Sequence, residues 1–542
     1  MQKRKILGVV VTVSLAGLQT AHAQTHAYGH RVGTVQFPVS CNEVARASID
    51  EGLALLHHMT YEDAERAFAA AARAQPDCAM SYWGQAMTYI HPLWSDPPDE
   101  TKFERGRALV AEAKRRGART PRERAYVEAV EAYYAAGRAG TESVNLVEFD
   151  RGWQNVHRQF PDDPEAALFF SLSQIATADP GDKSFSRQAR AGELAEKVLA
   201  RIPDHPGAHH YVIHAYDYPP LAERALAVAR KYGDVAPAVP HALHMPSHIF
   251  TRLGLWPESI AWNTRSAAAA LEHTEAGLVS FHYLHALDYL AYAHLQRAED
   301  RAAEDVLEKL ARLEGPFTTH VASAYTLAAV PARLALERQQ WAQAAQLKPR
   351  TPAGYPWNTA PAIEAITHFA RALGAARSGN PMISRESLAK LEALRDQAAR
   401  TSAYWANQAE IQRLSALAWL IFRGGDSETA LLVMEQAAEL EASTEKHPVT
   451  PGEVLPAREL LADMFLEMDR HQDAQSAYEA ALARSPNRFN SLYGAGRAAE
   501  LRGDQAQAML FYERLVKQAS SGDTSRGRLQ RAKDYLALKP RG

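Results

Sequence analysis

Two histidine pairs constrain this chain more than any other feature. His210 and His214 stand four residues apart, as do His244 and His248, and each member of the second pair follows its counterpart by 34 residues. Residues four apart share one face of an α-helix. Thirty-four residues is also the length of a helix–turn–helix unit that buries its apolar face only by stacking on copies of itself. The spacing therefore predicts two imidazole pairs side by side on neighbouring helices of a solenoid.

The rest of the sequence suits that reading. With 542 residues the chain is too long for one compact core. Ala, Leu, Glu, Arg and Gln dominate, all helix formers except where Gly or Pro interrupts. Asn42 to Pro76 is the first clear unit, with Tyr61, Ala64, Phe68, Ala71 and Pro76 in an alternation of aromatic, small and terminating residues. Small residues let the two helices of a hairpin approach, and the proline ends the second helix. Pro164, Pro206 and Pro240 open later units. Ala362 to Arg400, Ala409 to Leu440, Leu455 to Pro486 and Phe489 to Gln518 read as further hairpins. Lys348 to Asn358 and Glu445 to Gly452 read as breaks.

These residues resemble the tetratricopeptide repeat (TPR) superfamily over nearly all of the chain after its N-terminus. Within it the chain is similar to exported bacterial repeat proteins that carry segments like those at 209–217, 240–254 and 285–290. The resemblance implies an all-α, TPR-like α-solenoid of about ten to twelve helical hairpins in a right-handed superhelix. It also implies that the first helix of each unit lines a concave groove, with unit positions 2, 5, 9, 12 and 13 facing the ligand. In that register His210, His214 and Asp217 fall at 5, 9 and 12, and His241, His244, His248 and Arg252 at 2, 5, 9 and 13. His285, Asp288 and Tyr292 fall at 2, 5 and 9, and Trp83 and His91 at 5 and 13. All would line the groove.

Imidazoles at i and i+4 can share a metal ion. Packed helices about 8–10 Å apart leave room for histidines from both to reach one ion. His210, His214, His244 and His248 would supply up to four nitrogens, with Asp217, His285 and Asp288 as further ligands or as partners that orient the rings. Nitrogen and carboxylate donors without thiolate suit Zn, Cu, Fe, Ni or Mn, as one or two divalent transition-metal ions. Pro246 should kink its helix. Against this stands the commoner role of a histidine on a buried helix face, a hydrogen-bonded core residue. For His57 packing or capping is the expectation. Two functions follow. One is a binding or scaffold protein whose groove holds a peptide or protein segment, or a small-molecule ligand. The other is a metal-dependent protein, an enzyme if a coordination position stays open. Phosphate-loop, nucleophile-elbow, His-Glu-x-x-His and haem-attachment motifs are absent from the sequence.

Lys3-Arg4-Lys5, the apolar run Ile6 to Leu18 and the small residues of Ala21-His22-Ala23 read as a signal segment cut after Ala23. The expected location is periplasmic or secreted, with no transmembrane segment in the mature chain, since the apolar run is shorter than a span of about 20 residues. Sixty basic and 63 acidic residues, net charge −3, give no footing for nucleic acid. An oxidising compartment would favour a disulfide between Cys41 and Cys78, the alternative being two buried thiols. The expected order is signal 1–23, irregular lead-in 24–40, histidine-rich repeats 41–315, middle repeats 316–445 and a C-terminal repeat pair 446–542.

Overall fold

Helix starts are set locally. Thr120 and Glu123 cap each other's backbone at the Pro121–Ala136 helix, and Asn42 and Asp99 accept from the first-turn amides of the helices they precede. Pro164, Pro206 and Pro240 occupy the first helical turn, where a missing N–H costs nothing. The computed structural model describes residues 31–94, 96–274, 277–524 and 526–538; the expected signal segment lies outside them. Among the described residues the fold is all-α, the one β-type contact being an isolated bridge between Val279 and Phe317. Twelve helical hairpins follow one another, from Glu43–His57 with Tyr61–Ala74 to Phe489–Leu501 with Gln505–Gln518, and the Gly527–Ala537 helix covers the end. No described helix is long and apolar enough to cross a membrane.

Stacking depends on a recurring aromatic–glycine contact. A Cβ on Gly84 would lie 2.2 Å from the Phe68 ring, and one on Gly494 would lie 2.1 Å from the Tyr478 ring. In both cases the glycine follows the aromatic by sixteen residues, so one packing solution serves opposite ends of the molecule. Cys41 and Cys78 are disulfide-bonded, tying the start of the first unit to the start of the second. The extended residues before Cys41 are packed, with Phe37 stacked on Trp83 at 5.4 Å. Trp83 also meets Phe68, Tyr126 and Phe169 edge-on and donates its indole N–H to the Tyr126 carbonyl. It is core, not the groove surface expected from its unit position.

The array folds back on itself. Arg488, fully buried, bonds Glu459, Glu337 and the Tyr292 hydroxyl; Trp256 donates to the Asn487 carbonyl at 2.9 Å, and Arg526 pairs with Asp300. The last repeats thus bind the middle ones. Residues 445–452, expected as a simple break, form a strap across the inner face. Lys446 reaches Asp217 at 2.8 Å, the Tyr289 hydroxyl donates to the Thr450 carbonyl at 3.1 Å, and Arg333 donates to the Gly452 carbonyl at 2.7 Å. These partners sit on or at the end of the first helices of three different units. The chain itself therefore covers the surface where an open groove was expected.

Candidate metal centre

His244 ends the short Pro240–His244 helix and His248 lies on the next, Pro246–Arg252. Pro246 divides the helix there, because it lacks the N–H that would continue the ladder. The two rings still meet, Nε2 to Nε2, at 3.1 Å. Their proton positions follow from their other partners. Asn263 donates its amide N–H to the Ser259 carbonyl and the Ser247 hydroxyl, both at 2.7 Å. A carbonyl only accepts, so Asn263 turns its own oxygen toward His244 Nδ1, at 2.7 Å, and that nitrogen carries the proton. His248 Nδ1 lies 2.9 Å from the Asp217 carboxylate. Burial pushes the Asp217 pKa up, but Lys446 and Arg252 outweigh it and hold the group well below the usual range. As a carboxylate it can only accept, so His248 Nδ1 is also the protonated nitrogen.

Both Nε2 atoms therefore present lone pairs to each other across 3.1 Å. Burial lowers the pKa of both rings, His244 strongly, so neither is readily made an imidazolium. Two bonds of 2.0–2.1 Å to one ion, drawn from nitrogens this far apart, subtend about 100°, near the tetrahedral value. His285, from the Phe281–Gln296 helix, brings a ring nitrogen within 4.8 Å of both. Its ring centroid is 4.1 Å from that of His244. The Nδ1 partners Asn263 and Asp217 are the kind that fix tautomer and ring direction around a metal.

A second group lies beside the first. His210 donates Nδ1–H to the His57 carbonyl at 2.6 Å, leaving Nε2 bare, and His241 Nε2 stands 3.2 Å from it. His214 completes the group within 4.8 Å. The expected meeting of His210, His214, His244 and His248 at one point is corrected: the structure forms two triads, His210/His214/His241 and His244/His248/His285. The two units meet with an offset of 31 rather than 34 residues, His241 against His210 and His248 against Asp217, so His241 rather than His244 faces His210. Every one of the six rings is buried, none above 6 % exposed, so they line an interior and not an open groove.

Other expected positions are taken by structural partners. Asp288 is paired with the buried Arg333 of the following unit, and burial pushes its carboxyl up to about 6; it belongs to neither triad. Asp217 serves as acceptor for His248, Arg252 and Lys446 rather than as a member of either triad. Arg252 is committed to Asp217 through its Nε and to the Asp217 carbonyl, so it is no free groove cation. Tyr292 packs against Trp256 and accepts from Arg488. His91 stacks on Tyr61 and bonds Asp96 and the Thr88 carbonyl.

A third group, His57, Glu165 and His205, is equally close but closed on itself. His57 bonds Glu165 through Nε2 at 2.7 Å and the Tyr211 hydroxyl through Nδ1 at 2.9 Å. His205 bonds Glu165 through Nε2 at 2.9 Å and accepts the Ala208 amide at Nδ1. Sequence reasoning missed Glu165, His205, Asn263, Arg333 and Lys446. For His205 a signal existed, its place just before Pro206 at the head of the histidine-rich helix, where it caps that helix.

The tetratricopeptide repeat model matches residues 49–91 and 460–523. Comparison with curated proteins finds no match. Among solved structures, a human IFIT1 dimer with m7Gppp-AAAA is 13% identical, covering 89% of this chain and 98% of that one at a TM-score of 0.38. Yeast Tom70 is 12% identical, covering 91% and 95% at a TM-score of 0.29. Similarity at that level says nothing of this chain's ligand. The matched stretches near both ends and the twelve hairpins stacked among the described residues give one result: the chain is built as an array of helical repeats of the tetratricopeptide type.

Proposed function

We propose that this is an exported repeat protein that holds a divalent transition-metal ion at His244, His248 and His285. The observation that carries it is the pair of Nε2 lone pairs facing each other at 3.1 Å while both Nδ1 atoms are pinned to acceptors. A hydrogen bond between those nitrogens would need one ring to give up its Nδ1 proton and leave Asn263 or Asp217 facing a bare lone pair. A cation removes that conflict. Three imidazoles leave a fourth tetrahedral position for water or a small ligand, the donor count of catalytic zinc rather than of closed structural sites. Export is supported by the N-terminal Lys-Arg-Lys, apolar run and Ala-His-Ala sequence, and suits the Cys41–Cys78 bond. The peptide-groove reading is weaker, because the strap of residues 445–452 already occupies the inner face over Asp217, Tyr289 and Arg333.

The test is elemental analysis of the purified mature protein, stripped by chelator and reloaded with Zn2+. Stoichiometric metal is expected, and His248→Ala should lose the ion from this triad while keeping its helical circular dichroism. Folded wild-type protein that takes up no metal would end the proposal.

A further inference from the structure

The geometry points to a second metal site, at His210, His214 and His241, so that the protein binds two ions in adjacent compartments. The inference rests on the reading above and extends it to the preceding unit, whose His210 and His214 join His241. His210 reproduces the arrangement of His244: its Nδ1–H is spent on a carbonyl, here that of His57 at 2.6 Å, and its Nε2 is left bare. His241 Nε2 faces that lone pair at 3.2 Å, a spacing that two metal–nitrogen bonds of about 2.0–2.1 Å span at roughly 100°.

Two further atoms distinguish this triad from packed core. His214 Nε2 and His241 Nδ1 are buried and have no hydrogen-bond partner in the protein. A buried nitrogen left unpaired has lost its water without gaining a partner, which disfavours the empty arrangement. If His241 carries its proton on Nε2, it satisfies His210 but strands its own Nδ1 lone pair, and His214 is not helped. An ion held by one nitrogen from each ring satisfies His210 and His214 and ends the facing of His210 and His241. Binding consumes no proton if all three rings are neutral. Burial, and then the neighbouring histidines, drives all three toward that form, with His210 held at about 3. The compartments adjoin through His214 and His248, whose ring centroids are 5.7 Å apart, and through His241 and His244, at 6.2 Å. The donors are all nitrogen, which suits Zn2+, Co2+, Ni2+ or Cu2+.

The experiment is metal stoichiometry on the full mature chain, stripped and then titrated with Co2+ alone, followed by visible absorption and by elemental analysis after desalting. Two ions per chain are expected for the wild type. One is expected for His210→Ala/His241→Ala and one for His244→Ala/His248→Ala, with the Co2+ band of the surviving site retained. Because alanine removes buried ring volume, His214→Gln provides a milder variant that should also drop the count to one, with near-ultraviolet circular dichroism reporting the fold. A wild type that binds one ion, lost in His248→Ala but kept in His214→Gln, overturns the second site and leaves the first. A wild type that binds one ion, lost in His214→Gln but kept in His248→Ala, places the metal here and overturns the first site and the two-ion count. A folded wild type that binds none overturns both.

Discussion

Three histidine groups among the described residues bring their ligand atoms within 4.8 Å of one another, yet they differ in what each ring does with its second nitrogen. In His57/Glu165/His205 a carboxylate stands between two imidazoles, and all four ring nitrogens have protein partners. In His244/His248/His285 the carboxylate and the amide stand behind the rings, so bare nitrogens meet in the middle. Proximity therefore does not distinguish a candidate metal centre from a hydrogen-bonded core. The position of the acceptor, between the rings or behind them, does.

Acid should strain that distinction most. Burial holds His58, His210 and His282 at about 3 and His320 at about 4, far below the roughly 6.5 of an unfolded histidine. Between those values the unfolded chain binds more protons, so stability falls as pH drops, by roughly 1 kcal/mol per unit for each ring. Burial raises Asp50 and Asp288 to about 6 and Glu441 to about 7, which acts in the opposite sense, but burial also lowers His214, His241, His244, His248 and His285, which adds to the four rings. Four such rings can exhaust a net stability of about 5–15 kcal/mol within a few pH units. Far-ultraviolet circular dichroism of the metal-free protein should show cooperative unfolding between about pH 4 and 6, with Zn2+ moving the midpoint lower. A metal-free protein still folded at pH 4 breaks the argument. Next comes Glu165→Ala, which strips the partner from two buried rings. It should cost about 3–5 kcal/mol in thermal or urea unfolding while leaving metal content unchanged. Lost metal would mean that the third group is not purely structural.

Asp217→Asn should weaken metal binding about 10–100-fold, read by competition with a chromophoric chelator, because His248 loses its charged acceptor. Its folded stability should fall as well, since Lys446 and Arg252 lose their counter-charge. Lys446→Met should act weakly and in the opposite direction. An ammonium beside Asp217 opposes a cation at His248, so its removal should tighten binding by less than about tenfold. Weaker binding in Lys446→Met would show that the strap matters more than its charge.

The repeat period and the four-residue spacing were enough to anticipate helices, hairpins and the residues that crowd together. They could not give the partition into two triads, because the units meet 31 residues out of step, His241 against His210 and His248 against Asp217, and not at the 34 of the repeat period. Nor could they give Asp288's fate, since Arg333 comes from the next unit and nothing in the motif marks it. The expectation of an open groove failed for a physical reason remote in sequence: Lys446 lies 229 residues beyond the Asp217 it neutralises. Asn263 was equally invisible, a polar residue on the outer helix of its hairpin whose role appears only once both its donors are placed.

That same distance along the chain sets an order of events. Proteins leave the ribosome N-terminus first. The histidine helices of residues 206–296 therefore emerge and can stack while residues 445–452 and the repeats that anchor them are still to come. Whatever enters the compartment beside Asp217 has an open door during that interval and a shut one afterwards, when Lys446 docks and Arg488 locks the last hairpins to Glu337. Cargo captured early would be sealed in by the tail of its own container, and its later exchange would be governed by how often that tail lets go.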